Sequence, residues 1–159
     1  MKLKATKIEN INKAKYGDIL FFKPTSKSAL FSRLIPIIDG SPFCHVGMYV
    51  GKIYGHHMFI ESVDFKGVRL SRFENRFNET IIRVQNIPTT PFMALRDLGK
   101  PYDTRKILEI LAHKIFGYKL TEDDGKALIC SEAVNKWYNY KLAPKGDATP
   151  ATIYNNLKF

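Results

Sequence analysis

Phe43-Cys44-His45-Val46-Gly47-Met48-Tyr49-Val50, followed across Gly51 and Gly55 by His57-Met58-Phe59-Ile60-Glu61-Ser62-Val63, is the stretch on which the fold turns. Both runs are rich in β-branched and aromatic residues and are bounded by glycine, as paired strands are. Alternation puts Phe43, His45, Gly47 and Tyr49 on one face and Cys44, Val46, Met48 and Val50 on the other. The second face is wholly apolar and is expected to lie on the core. His45 then points away from that core, beside a glycine that leaves room for something to approach. With a turn at Lys52-Ile53-Tyr54, Glu61 falls directly opposite His45 on the same face. His57 falls opposite Tyr49, roughly 13 Å further along the strand. A slip of one residue would turn Glu61 to the other face.

Working outward, Gly17-Asp18 opens the short apolar run Ile19-Leu20-Phe21-Phe22, a buried strand stopped by Pro24. Residues 1–15 are polar and are expected to form a loose basic arm or a short helix. Residues 28–38 read as a helix disturbed by Pro36. Val68-Arg69-Leu70 and residues 80–84 make further strands. After Pro88 and Pro91 the pattern turns helical: residues 92–98 stop at Gly99, and residues 104–116 stop at Gly117. Asp123-Asp124-Gly125 precedes a last helix in which Cys130, Ala133, Val134, Trp137 and Tyr138 form one stripe. Residues 138–140 finish that helix, and Ala148-Thr149-Pro150 starts a short terminal segment. Strands in the first half and helices in the second predict an α+β fold, with a central antiparallel sheet or small barrel packed against helices.

The chain has 159 residues, 45% of them hydrophobic, which suits a single domain over residues 1–159. No apolar run approaches the roughly 18 residues that span a bilayer. The basic start has no apolar stretch behind it, so no secretory signal is expected. The location expected from these two features is the cytoplasm. Two cysteines are too few for a disulfide framework. The net charge is +10, and residues 1–35 carry eight Lys/Arg against two acids. Such a stretch reads first as a solvated face and second as a surface for an anionic partner. No nucleic-acid-binding motif accompanies it, and no nucleic-acid partner is expected.

Cys130 lies in the first turn of its helix, where the dipole and free N–H groups favour a thiolate. On this residue alone, a small apolar knob in the core stripe is the stronger reading. A nucleophilic thiol also needs a base, and that base needs a third group to orient it. His45, with Glu61 across the hairpin, meets both demands; His113, in a helix without an evident acid, does not. Cys44 faces away from His45 and reads as packing. Cys44, His45, His56 and His57 cluster in sequence, but neighbours on a strand diverge and no C-x-x-C pair is present. No metal and no cofactor are therefore expected.

Gly17-Asp18-Ile19-Leu20-Phe21-Phe22 and His45-Val46-Gly47-Met48-Tyr49-Val50-Gly51 resemble the G-D-L-V-F-F and H-V-G-I-Y-x-G segments of NlpC-type cysteine peptidases, whose fold is papain-like. Leu98-Gly99-Lys100-Pro101-Tyr102 and Cys130-Ser131-Glu132-Ala133-Val134 resemble that family's G-x-P-Y and C-S-G-L-V segments. In the standard family the latter pair comes first; here it comes last, the order of a circular permutant. The chain is thus most similar to the permuted NlpC group, the YiiX-like proteins, which have poxvirus members and lecithin–retinol acyltransferase as a relative. Phe59-Ile60-Glu61-Ser62 and Lys66-Gly67-Val68-Arg69 resemble that group's second catalytic strand and the strand after it. Glu132 stands where the standard family has glycine, and Asp103-Thr104-Arg105 where it has R-x-G-G.

The resemblance implies Cys130 as nucleophile, His45 as base, Glu61 as orienting group and Tyr102 as a site tyrosine beside the nucleophile. It implies a thiol hydrolase acting on an amide, peptide or ester bond, in a cell-wall peptide, an amino-acid conjugate or a lipid-like substrate. Two alternatives stand beside it: an acyltransferase in which a lipid or amine replaces water, and a non-catalytic binding module on the same fold.

Overall fold

A computed structural model describes residues 2–25, 36–37, 40–73, 79–87, 89, 91–118 and 126–159. The helix expected over residues 28–38 lies, apart from Pro36 and Ile37, outside the described residues, as does the Asp123-Asp124-Gly125 turn. Seven strands form one sheet: β1 (Leu3–Ile8), β2 (Ile19–Phe22), β3 (His45–Ile53), β4 (His56–Val63), β5 (Gly67–Arg72), β6 (Glu79–Val84) and β7 (Leu157–Lys158), in the order β5-β4-β3-β2-β6-β1-β7. The helices are α1 (Pro91–Arg96), α2 (Thr104–Phe116), α3 (Cys130–Trp137) and α4 (Pro150–Asn155). The fold is mixed α+β, a seven-stranded sheet packed against a few helices. All described strand pairs are antiparallel except β1 with β7, which is parallel. Among the described residues, no helix is long and apolar enough to cross a membrane.

The alternation read from β3 is what the sheet shows. Val46 and Met48 join Ile19, Phe21, Ile60 and Ile82 on the face that meets Ala133, Val134 and Trp137 of α3. The opposite face is not bare: Leu20, Phe22, Tyr49, Phe59 and Ile81 build a smaller second core there. Burial on both faces explains why Ile19–Phe22 is continuously apolar, each residue no more than 6% exposed. It also corrects the expectation about Gly47. A Cβ there would lie 2.9 Å from the Phe59 ring and 3.0 Å from the Ile60 carbonyl oxygen, so this glycine makes way for Phe59.

The hairpin register differs from the expected one. The turn is Tyr54-Gly55, both with positive φ (49° and 80°), a two-residue turn whose hand matches strand twist. The ladder shifts between Tyr49 and Gly51. Glu61 is therefore opposite Gly47, not His45, and His57 is opposite Lys52, not Tyr49. For Glu61 the displacement from the expected partner is two residues, so the face is unchanged and Glu61 becomes a diagonal neighbour of His45.

Residues 2–15 are not a loose arm. They form β1 and a 3-10 turn at Ile11–Lys13, with Asn10 capping Asn12 N at 3.0 Å. Leu3 and Ala5 supply a period-two inward face that their lysine neighbours obscure. The last residues return as α4, capped by Thr149, and then as β7 alongside β1.

Candidate functional site

The first residue of α3 is Cys130, and three features of the chain hold it in place. Ser62 on β4 donates its hydroxyl to the Leu128 carbonyl at 2.6 Å, and the Leu128 N–H donates to the Pro101 carbonyl at 3.0 Å. Ser131 donates its hydroxyl to the Ala148 carbonyl at 2.6 Å. Glu132, at the third helical position, folds back to accept from the Ile129 N–H at 3.5 Å, half of a capping box. The first N–H groups of such a helix have no intrahelical acceptor and point beyond its end.

The Lys100-Pro101-Tyr102 strap is sewn to β5 as well as to Leu128. The Val68 N–H donates to the Lys100 carbonyl and the Gly99 N–H to the Val68 carbonyl, both at 2.9 Å. Gly67 has φ of 66°, and a Cβ there would sit 2.1 Å from the Lys100 carbonyl oxygen, so only glycine lets the strap close on β5. The strap brings Tyr102 within electrostatic range of Cys130. Burial, then the charges of Cys130, Asp64, Glu132 and Asp103, hold its phenol far above the usual range. Tyr102 thus keeps its O–H proton.

His45 opens β3, with its ring 5.6 Å from Phe22. Its Nε2 meets Glu61 Oε2 at 2.6 Å, and its side chain is within hydrogen-bonding reach of Cys130. With Nε2 committed to Glu61, Nδ1 is the nitrogen left for the thiol. Burial pulls the His45 pKa down, but the charge and hydrogen bond of Cys130 and those of Glu61 outweigh it, pushing it up to about 10. Both neighbours thus favour the protonated form of the ring. Glu61 is fully buried, and its other oxygen accepts from Ser71 Oγ at 2.6 Å and Arg69 Nη2 at 3.2 Å.

The structure therefore brings together Cys130, His45, Glu61 and Tyr102. No family model and no curated protein sequence matches the chain.

Arg69 and Ser71 escaped the sequence reading. They are two apart on β5, and Arg69 is the register partner of Glu61, so carrying the pairing one strand further would have found them. Cys44 donates its thiol to the Phe22 carbonyl at 3.5 Å, away from His45, so these sequence neighbours diverge. Among the described residues, no cluster of three His, Cys, Asp or Glu is arranged to hold a metal. His57 sits between Tyr49 Oη (2.6 Å) and Asn12 Oδ1 (3.0 Å), fastening the 3-10 turn to the sheet. His113 meets the Tyr118 carbonyl at 2.5 Å at the end of α2.

Asp18 of the Gly-Asp motif is structural. Its carboxylate receives two bonds from Arg83, at 2.9 and 2.7 Å, and one from Lys15 N at 2.7 Å, while its backbone carbonyl accepts from Tyr49 N.

Proposed function

We propose that this chain is a cysteine-dependent hydrolase of amide, peptide or ester bonds, built on a circularly permuted, NlpC-like version of the papain fold. One observation carries the reading: a cysteine at the first position of a helix faces an imidazole whose other nitrogen is held by a fully buried carboxylate. That is the arrangement of an activated thiol nucleophile. The order of the Gly-Asp, His-Val-Gly, Pro-Tyr and Cys-Ser segments along the chain supports the permuted fold.

In this mechanism the Cys130 proton resides on His45, and the thiolate attacks the substrate carbonyl carbon. The new oxyanion is met by the Cys130 backbone N–H and the Tyr102 hydroxyl. His45 returns the proton to the departing amine or alcohol, leaving an acyl group on Cys130. Water, deprotonated by His45, then releases the acid and regenerates the thiol. Glu61 keeps the ring in position and stabilises its cationic form.

A small activated ester such as p-nitrophenyl acetate tests this, with the adduct located by mass spectrometry. An acetyl group on Cys130, absent in Cys130→Ala, is the expected result. Faster deacylation by an added amine or lysolipid than by water would redirect the reading to an acyltransferase. No adduct, together with an intact fold, would leave a binding module.

A further inference from the structure

Most of the cations already described have acidic partners. Arg83 grips Asp18, Arg69 meets Glu61, Lys100 and Lys136 close on Asp97, and Lys13 pairs with Glu9. The β1–β7 edge of the sheet is different. Lys2, Lys4, Lys7 and Lys158, all exposed, line a groove of about 720 Å³ with Gln85 and Phe159, and no acidic side chain contributes to it. Among the described residues, none of the four lysines has a carboxylate partner.

Two of these charges are placed against each other. Lys4 and Lys158 are partners in the parallel β1–β7 ladder, where like charges side by side are destabilising. Lys7 Nζ lies 5.0 Å over the ring of Phe159, which is 54% exposed. Gln85 is fixed by donating to Thr6 Oγ1 at 3.0 Å. The groove is thus lined by four lysine side chains, a hydrogen-bonded amide and an aromatic ring. A multiply charged anion would relieve the repulsion between Lys4 and Lys158. The strand order sets β1 three ladder steps from β3, about 14 Å, so the groove is separate from the His45 cluster.

We propose that this groove is a binding site for a phosphate-class polyanion. Phosphate oxygens take the ammonium donors as point contacts, and Phe159 flanks the body that carries them. The same group occurs on soluble phosphate esters and on bilayer headgroups.

Calorimetry with inorganic tripolyphosphate and the full chain, at constant ionic strength, tests the proposal. Wild type is expected to bind and to gain thermal stability with ligand. Lys4→Gln/Lys158→Gln is expected to lose about thirtyfold in affinity, at about fivefold per lysine. Its ligand-free Tm is expected to equal or exceed that of wild type, because the repulsion is gone. Should that variant fail to fold, Lys2→Gln/Lys7→Gln carries the same expectation for affinity. Co-sedimentation with phosphatidate-containing but not phosphatidylcholine vesicles, competed by tripolyphosphate, assigns the group to a headgroup. Tripolyphosphate binding without co-sedimentation assigns it to a soluble ester. No tripolyphosphate binding, binding unchanged in the folded variants, or an oligonucleotide binding tenfold more tightly would each overturn the proposal.

Discussion

Two buried carboxylates, Asp97 and Glu61, differ in the partners that hold them. Asp97, 4% exposed, accepts from Lys136 Nζ at 2.8 and 2.9 Å and from Trp137 Nε1 at 3.1 Å, and pairs with Lys100 at 3.0 Å. Burial alone would raise its pKa, but the bonds from Lys136, Lys100 and Trp137 hold it below the ordinary carboxylate value. Every partner is a donor that stays charged or polar at working pH, so Asp97 is a clamp joining the end of α1 to α3. Glu61 is equally buried and equally well supplied, by Ser71, Arg69 and His45. The difference is that His45 also interacts with a thiol, Cys130. In the proposed mechanism Glu61 differs from Asp97 because one of its partners can move a proton onward; burial and charge do not separate the two carboxylates.

The contrast can be broken at four places. The largest effect is expected from Cys130→Ala, which should lower ester turnover by at least about a thousandfold, while Cys44→Ala stays within a few fold of wild type. Steady-state kinetics on folded variants would show it. Glu61→Gln should lower kcat by about a hundredfold. It should also move the alkaline limb of the pH–rate profile: removing the negative charge destabilises the imidazolium, so His45 loses its proton at a lower pH than about 10. A purely structural role for Glu61 would leave that limb in place.

Asp97→Asn should act on stability instead. Loss of about 2 kcal/mol, or roughly 6 °C in Tm, is expected, with kcat of the folded fraction within twofold of wild type. Because the folded pKa of Asp97 is depressed, its contribution is complete above the unfolded value near 3.8 and fades as pH falls through the lower folded value. Wild type and Asp97→Asn should therefore converge in acid-denaturation curves. The smallest effect is expected from Ser71→Ala, about tenfold in kcat, with the alkaline limb shifted upward, opposite to Glu61→Gln, because the carboxylate keeps its charge and loses a competing donor. An unshifted limb would assign Ser71 to the clamp kind of contact.

Much of the site was legible because it depends on periods. The stripe through Cys130, Ala133, Val134 and Trp137 placed the thiol at a helix start, and strand parity placed His45 and Glu61 on one face. Parity survived even though the turn did not fall where expected, since a two-residue displacement preserves it. The edges of the sheet were not legible. β1 and β7 are short, rich in lysine and paired between the two ends of the chain, so local pattern carries almost no trace of them. Gly47 was misread for a related reason: what it makes room for, Phe59, is set by tertiary packing. The support of Glu61 by Arg69 and Ser71 needed a third strand in register.

The central claim is that partners, not exposure, distinguish the two thiols, since Cys44 and Cys130 are 7% and 6% exposed. Site-resolved alkylation by iodoacetamide at neutral pH, followed by mass spectrometry in wild type and His45→Ala, measures this directly. The account predicts that Cys130 is modified at least tenfold faster than Cys44, and that His45→Ala removes the advantage. Equal and slow modification of both thiols, unchanged by His45→Ala, would contradict it.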